Sequence, residues 1–557
     1  MLAQQTPGVY VHWLDNRNRN LAALRTDIAA FIGIAERGPV QTPTKVESWV
    51  QFTSIFGGHI PQGYLAYAVE GFFENGGRTC WIVRVARNEP SAIDAASSAK
   101  ALLKVGNEYG LIEASSPGSW GQQLLLTCRR KGDGRFDLTV QLPSGIQEVW
   151  RNLTLTAEEN GRFIQTLFNH PTNGSQLLQA TRETASLTFD RRLPLLDMSE
   201  QRVAQQWLSG GSDGLTGLTV THFTGRSTGL DYEWGLQTLE VIDEIGLVAI
   251  PDLMPKDEQL PLPTPKRPVR CDNLSTTDPP AASEPGLTFP PAFNVEEQRE
   301  IVEQLIQHCQ KMRDRVAIVD MPPHLQKPMA MRAWRNQFDS AFMAVYTPWL
   351  KVPDPTRLDG KLLRSVPPSG AVTGIYARSD THTGVYKAPA NEPLYGVKDL
   401  QLIINDVYHG ELNQAGVNVI RPYNGLQFRI VGARTMSSDP EWRYINVRRL
   451  VNMIAESLES QMQWTVFEPN SPALWRDMDR IVRTFLDQLW QAGYLEGATA
   501  DDAFFVRCDD TTNPPYEKDQ GRVICEIGLQ PPIPAEFVIV KIGRTEGGIE
   551  LLETNTA

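Results

Sequence analysis

The chain has 557 residues, too many for one hydrophobic core, and three or four domains are expected. Its composition, 41% hydrophobic, 21% charged and 8% aromatic, is that of an ordinary globular protein. A net charge of −12 excludes a global electrostatic footprint for nucleic acid or anionic membrane, and no run of about 18 apolar residues offers a membrane span.

Residues 1–25 read as an arm. "TPGVYVHWL" opens on a Pro-Gly break, runs through a short β-rich stretch and passes into the polar "DNRNRN". That stretch is too short to fold alone, and nothing beside it offers a hairpin partner. The start, "MLAQQTPGVYVHWLDN", has neither the basic nor the apolar region of a secretory signal, so none is expected. Residues 26–109 read as the N-terminal part of an α/β core. Asp27–Val40 predicts a strand and a Gly-Pro turn, and Trp49, Phe52 and Phe56 recur at helical spacing ahead of Gly57-Gly58. "GYLAYAVEGFFENGG" predicts a second helix feeding the strand "TCWIVRVA".

Over 110–214 the texture turns to β. "QQLLLTCRRKGDGRFDLTVQL" predicts two strands joined at a Gly-Asp-Gly turn, "IQEVWRNLTL" adds another, and "GRFIQTLFNH" a short helix. An inserted β-rich outer domain is expected there. Residues 215–395 read as the central α/β domain. "GLQTLEVIDEIGLVAIPDL" predicts a helix and the strand Gly246–Ile250, the next unit ends in the strand Val316–Asp320, and "FDSAFMAVYTPWLKV" gives a third apolar strand. Helices alternating with continuously apolar strands imply a mostly parallel sheet. The proline-rich stretch 251–291 lacks periodicity and reads as a long exposed loop. Residues 396–530 predict a C-terminal α+β domain with long amphipathic helices from Ile445 and Pro472 and β runs at "FFVRCDD" and "GRVICEIGLQP". Residues 531–557 form a second arm, with the apolar strand Phe537–Ile542 followed by a polar tail.

Ser369, Asp380 and His382, inside "PPSGAVTGIYARSDTHTGVYKAPANEPL", are the residue types of a hydrolytic site. A nucleophile needs a base in reach and an orienting group behind it. No GxSxG elbow surrounds Ser369, and Asp380 and His382, two residues apart, would share one face of a strand. We read the stretch as scaffold. Asp252 and Asp320 lie just past apolar strands, where α/β enzymes place catalytic carboxylates, but a strand-end Asp also caps the turn that follows. "GGSDGLTG" at 210–217 lacks the lysine ending of a phosphate loop and reads as a domain joint. The eight histidines form no HExxH, and the six cysteines form no CxxC, so no metal, no cofactor and no enzyme activity are expected. The scattered thiols suit a reducing cytoplasm.

Three stretches together resemble the contractile tail sheath family of phage tails, R-type pyocins and extracellular contractile injection systems. They are "TPGVYV" followed by "TDIAAFIGIAERGPV", the "PPSGAVTGIYARSDTHTGVYKAPANEPL" segment, and "LNQAGVNVIRPYNGLQFRIVGARTMSSDPEWRYINVRRLVNMIAESL". The resemblance implies a structural subunit that stacks as hexameric rings around an inner tube and contracts to drive that tube through a target envelope. Implied partners are copies of the chain, the inner tube protein, and baseplate and terminal cap proteins, with no nucleic acid and no direct membrane insertion. Assembly would be cytoplasmic, in a particle then released or membrane-anchored.

The implied fold class is α/β and α+β multidomain, with terminal strand arms exchanged between subunits. The arm strands are Gly8, Val9, Tyr10 and Val11 at one end and Phe537, Val538, Ile539, Val540, Lys541 and Ile542 at the other. Each would be an edge liability on a monomer and is satisfied by joining a neighbour's sheet. Among Arg421, Arg429, Arg434, Arg443, Arg448 and Arg449, the last three are candidates to face the tube. Pro367-Pro368 and Gly370 are then a rigid turn, and "AVTGIYARSD" a strand-like connector. The alternatives are a hydrolase on the central α/β domain or another, non-contractile structural subunit of the same tail-like machine.

Overall fold

Short runs of apolar residues, Val, Ile and Ala prominent among them, build the centre of the fold. The computed structural model describes residues 21–89, 95–105, 108–132, 134–156, 161–170, 173–182, 193–198, 202–225, 234–253, 289–356, 362–423 and 427–536, and the backbone of 540–545 and 548–553. The chain divides into two units, Arg25–Arg449 and Met1–Leu24 with Leu450–Ala557.

In Arg25–Arg449 the main sheet has eight strands: β1 (Ala29–Gly33), β2 (Thr44–Val46), β3 (Cys80–Arg84), β4 (Leu247–Ala249), β5 (Val316–Asp320), β6 (Met343–Thr347), β7 (Val417–Tyr423) and β8 (Gln427–Val431). Their order is β2-β3-β1-β4-β5-β6-β7-β8. All neighbours from β3 to β7 run parallel, and only the edge pairs β2/β3 and β7/β8 are antiparallel. Ala29 pairs with Cys80 on one side and Leu247 on the other. Strands β1, β5 and β6 are buried at every residue, which is why they are apolar without alternation.

Around the sheet lie α1 (Trp49–Phe56), α2 (Leu65–Glu74), α3 (Val295–Met312) and α4 (Ser369–His382). Ser48 caps α1 by accepting the Gln51 N–H at 3.1 Å, and Asn294 with Glu297 forms a reciprocal capping box on α3. The helix expected ahead of β4 is a single 3₁₀ turn, Gly235–Leu239. Of the proline-rich stretch, Pro251–Leu253 is a 3₁₀ turn, and 254–288 lies outside the described residues.

Between β3 and β4 two further sheets enclose a core of their own that includes Ile112, Trp120, Phe136, Leu138, Phe168 and Leu178. One pairs Leu125–Arg130 with Phe136–Gln141 as antiparallel neighbours and adds Gln147–Leu153 and Val203–Trp207. The other is built on Ser97–Val105, paired with Glu108–Ala114.

In the second unit, residues 22–24 are strapped to the helix α5 (Ile445–Gln461), within which the boundary between the units falls. Gln461 bonds both the N–H and the C=O of Ala22, at 2.8 and 2.6 Å, and the Leu24 N–H donates to Ser457. Helix α6 (Pro472–Gln491) buries Leu474, Met478, Ile481, Val482, Phe485 and Leu489 along one stripe, with Pro472 in its first turn. Phe504–Arg507 and Glu526–Leu529 pair as a two-stranded antiparallel sheet, and Val540–Thr545 pairs with Gly548–Glu553. Among the described residues no helix is long and apolar enough to cross a membrane.

Candidate functional site

The segment expected to be a turn and a strand-like connector is instead the helix α4, buried from Ser369 to Ala377. Its glycines explain both the misreading and the fold. A Cβ on Gly370 would lie 2.3 Å from the Ala68 Cα, and one on Gly374 would lie 2.4 Å from the Phe72 carbonyl oxygen. Two bare positions four residues apart therefore let α4 and α2 approach backbone to backbone. Packing outweighs the poor helix propensity of Gly370, Val372, Thr373, Gly374 and Ile375.

On this helix the three hydrolytic residue types are separated. Ser369 is at the first turn and Asp380 eleven residues on, so their Cα atoms stand roughly 16 Å apart at 1.5 Å per residue. Ser369 is fully buried, and His382 is exposed at the far end. No nucleophile–base pair forms among them.

Each carboxylate near α4 has a tethering task. Asp320, at the end of β5, accepts the Ser369 N–H at 2.7 Å and so caps α4. Burial pushes its carboxyl up to about 7, against the pull of the bond from Ser369. Asp252 accepts the N–H groups of Ile34 at 2.7 Å and Tyr64 at 2.6 Å, tying the end of β1 to the start of α2. Asp380 pairs with Arg449 and accepts the Thr26 hydroxyl at 2.6 Å. Arg449 also donates to the Thr26 carbonyl at 3.1 Å and lies over the Tyr376 ring, 4.8 Å from its centroid. The Tyr376 hydroxyl meets that of Tyr346 at 2.6 Å. The stretch is a polar staple joining three distant parts of the chain.

This staple corrects one tube-facing assignment: the Arg449 side chain is 3% exposed and committed to Asp380, so it does not serve an external surface. Arg448 lies over the rings of Trp442 and Phe342, at 4.0 and 4.6 Å, and burial lowers its pKa to about 10. Arg443 is exposed. Arg421 pairs with Asp406 at 2.5 Å, Arg429 bonds Asn391 at 3.0 Å, and Arg434 donates to the Asn413 carbonyl at 3.1 Å. The run of arginines is thus largely engaged within the fold.

Of the arm residues, Gly8, Val9, Tyr10, Val11, Phe537, Val538 and Ile539 lie outside the described residues. Val540, Lys541 and Ile542 are not a solitary strand ahead of a polar tail. They pair with Glu553, Leu552 and Leu551 in a hairpin closed between Thr545 and Gly548. Ile549, Leu551 and Leu552 give the tail its strand character, which the neighbouring glutamates conceal. Among the described residues, the outer edges of this hairpin and of the sheet Phe504–Arg507/Glu526–Leu529 are unpaired.

Residues 288–436 match the phage tail sheath protein central domain, and residues 437–543 the phage tail sheath C-terminal domain. A putative prophage major tail sheath protein of Pseudomonas aeruginosa is 24% identical over 227 residues, 40% of this chain and 55% of the relative. The chain thus spans about half the length of that curated relative. Among solved structures, the sheath complex of the extracellular contractile injection system PVC in its contracted state matches with a TM-score of 0.56 at 18% identity, covering 98% of this chain and 99% of that one. The contracted helical sheath of the anti-feeding prophage matches with a TM-score of 0.54 at 20% identity, covering 98% and 100%. Both likenesses are of fold.

Proposed function

Because the chain belongs to the contractile tail sheath family, we propose that it is the repeating subunit of a sheath, stacked as hexameric rings around an inner tube and shortened to drive that tube through a target envelope. The observation that carries this reading is the hairpin Val540–Thr545/Gly548–Glu553, a two-stranded element with both outer edges unpaired among the described residues. Such a hairpin is marginal in water by itself and gains by adding a third strand. The residue 8–11 strand of another copy is that third strand in our reading. Head-to-tail links of this kind do not close on themselves and so generate an open helical assembly.

The rest of the fold suits a mechanical part. The stapled unit Arg25–Arg449 moves as a body, and its links to neighbours run through the chain ends. Pro531, Pro532 and Pro534 make the lead to the hairpin a semi-rigid spacer. Contraction then re-packs bodies that stay connected, from a metastable extended state into one with more buried contact. A gain of about 1–2 kcal/mol per subunit, the scale of a single side-chain burial, sums over many linked copies into substantial work. The two sheets of residues 97–212, with their separate core, are the outer decorating domain of this reading. The exposed Arg443 is its contact to an acidic tube.

Negative-stain electron microscopy of the purified chain tests the proposal, with and without residues 1–20. Hollow striated tubes from the full chain that disappear on deletion are expected. Tubes that persist without residues 1–20 would overturn the strand-exchange link.

A further inference from the structure

Cys508 and Cys525 come together where the sheet Phe504–Arg507/Glu526–Leu529 ends. The last ladder pair is Arg507 with Glu526, so one more step places Cys508 opposite Cys525. Residues directly opposite on antiparallel strands have Cα atoms about 4.5–5.5 Å apart, inside the range of roughly 4.4–6.8 Å that a disulfide spans. The two side chains share an apolar cluster with Trp475 and Met478. The intervening loop is clamped at its neck. Asn513 donates to the Ile524 carbonyl at 2.9 Å and to the Asp509 carbonyl at 3.2 Å, and accepts the Ile524 N–H at 2.7 Å. Residues 508–509 and 524–525 are therefore held side by side whether or not the sulfurs are joined. Cys508 is buried and Cys525 is partly exposed, so an oxidant reaches the pair through Cys525.

We propose that Cys508 and Cys525 are a disulfide-forming site, a dithiol in a reducing compartment that closes when the protein meets a small-molecule disulfide outside it. The chemistry is thiol–disulfide exchange. The Cys525 sulfur, losing its proton, attacks oxidised glutathione, and one glutathione leaves as its thiol. Cys508 then attacks the Cys525 sulfur of the mixed disulfide, a protein S–S bond forms, and the second glutathione leaves. The two cysteines are oxidised by two electrons, and one glutathione disulfide is reduced to two thiols. The bond would fix the end of a sheet whose open edges are available to a neighbour's strand. Only that role rests on the sheath reading; the bond itself does not. Cys80, Cys128 and Cys309 are buried elsewhere, whereas Cys525 is partly exposed.

The test uses the full chain, purified under reductant and transferred into oxidised glutathione, then denatured, alkylated and mapped by mass spectrometry. Two of the six cysteines should escape alkylation, with the Cys508 and Cys525 peptides joined and two hydrogen masses lost. In Cys508→Ser the reaction should stop with glutathione retained on Cys525. Six alkylated thiols in the unaltered chain, glutathione left on its Cys525, or a link from Cys525 to any other cysteine would overturn the proposal. A chain that forms the bond but builds no tubes keeps this inference and loses the sheath reading.

Discussion

Arg449 and Asp380 stand 69 residues apart in sequence and form an ion pair with side chains 3% and 5% exposed. Thr26 satisfies both, giving its hydroxyl proton to Asp380 and its carbonyl oxygen to Arg449. The pair locks α4 to the start of α5 and to the strand-leading segment before β1. Removing one partner leaves an uncompensated buried charge, which costs on the order of 3–5 kcal/mol. Arg449→Ala and Asp380→Ala should each show that loss in urea unfolding of the isolated subunit. Replacing both together, Arg449→Met with Asp380→Leu, should recover most of it.

Glycine-to-alanine changes should have opposite signs at two helical positions. At Gly370 the new methyl meets the backbone of α2, which cannot yield, so Gly370→Ala should destabilise by about 1–3 kcal/mol despite alanine's better helix propensity. At Gly410, in the helix Asp406–Gln414, no atom lies within 4 Å of the added carbon, and Gly410→Ala should stabilise by up to about 1 kcal/mol. Thermal melts of the two variants measure this difference in sign.

Two buried groups give stability opposite pH dependences. The Asp320 carboxyl titrates near 7 in the fold, above its unfolded value of about 3.9, so its contribution is complete below pH 4 and is lost as pH rises through 7. Asp320→Asn keeps an acceptor for the Ser369 N–H and should gain on the parent chain between pH 4 and pH 8. His308 is held down to about 3, by burial first and then by the charges of Arg315 and Lys311. Its contribution is present above its unfolded value of about 6.5 and is lost as pH falls toward 3. His308→Gln should lessen the loss of stability between pH 7 and pH 5. Denaturant midpoints across this range measure both slopes.

Phe467 sits at φ 68° with its side chain wholly exposed. A left-handed conformation costs an aromatic residue roughly 1–2 kcal/mol, whereas asparagine tolerates it. Phe467→Asn should therefore raise the stability of the isolated chain by up to about 1 kcal/mol, measured by thermal unfolding.

Arg443→Glu is the sharpest surface test of the proposed tube contact. An exposed side chain away from packing changes stability by less than about 0.5 kcal/mol, so the isolated subunit should melt as before. Co-sedimentation with an acidic inner tube should weaken, and the loss should shrink as salt rises. Unchanged co-sedimentation would remove Arg443 from the contact.

What was legible in the sequence follows from periodicity. Strands β1, β5 and β6 are buried on both faces and so read as unbroken apolar runs, and α6 carries its apolar stripe at helical spacing. The resemblance to the sheath family rests on three stretches together, residues 6–11 with 26–40, 367–394 and 412–458. The fold of α4 was not legible, because from Ser369 to Ala377 it is buried on all sides, with no polar face to mark it, and its glycines count against a helix in isolation. Only the nearness of Ala68 and Phe72 turns those glycines into a requirement. The same holds for Arg449. Its charge reads as surface in a basic run, and its burial was decided by Asp380 and Thr26, which the sequence places far away and the fold brings within hydrogen-bond reach. Local pattern determined the elements; the partner of each polar group was settled by tertiary contact, because a buried charge persists only where the chain returns to neutralise it.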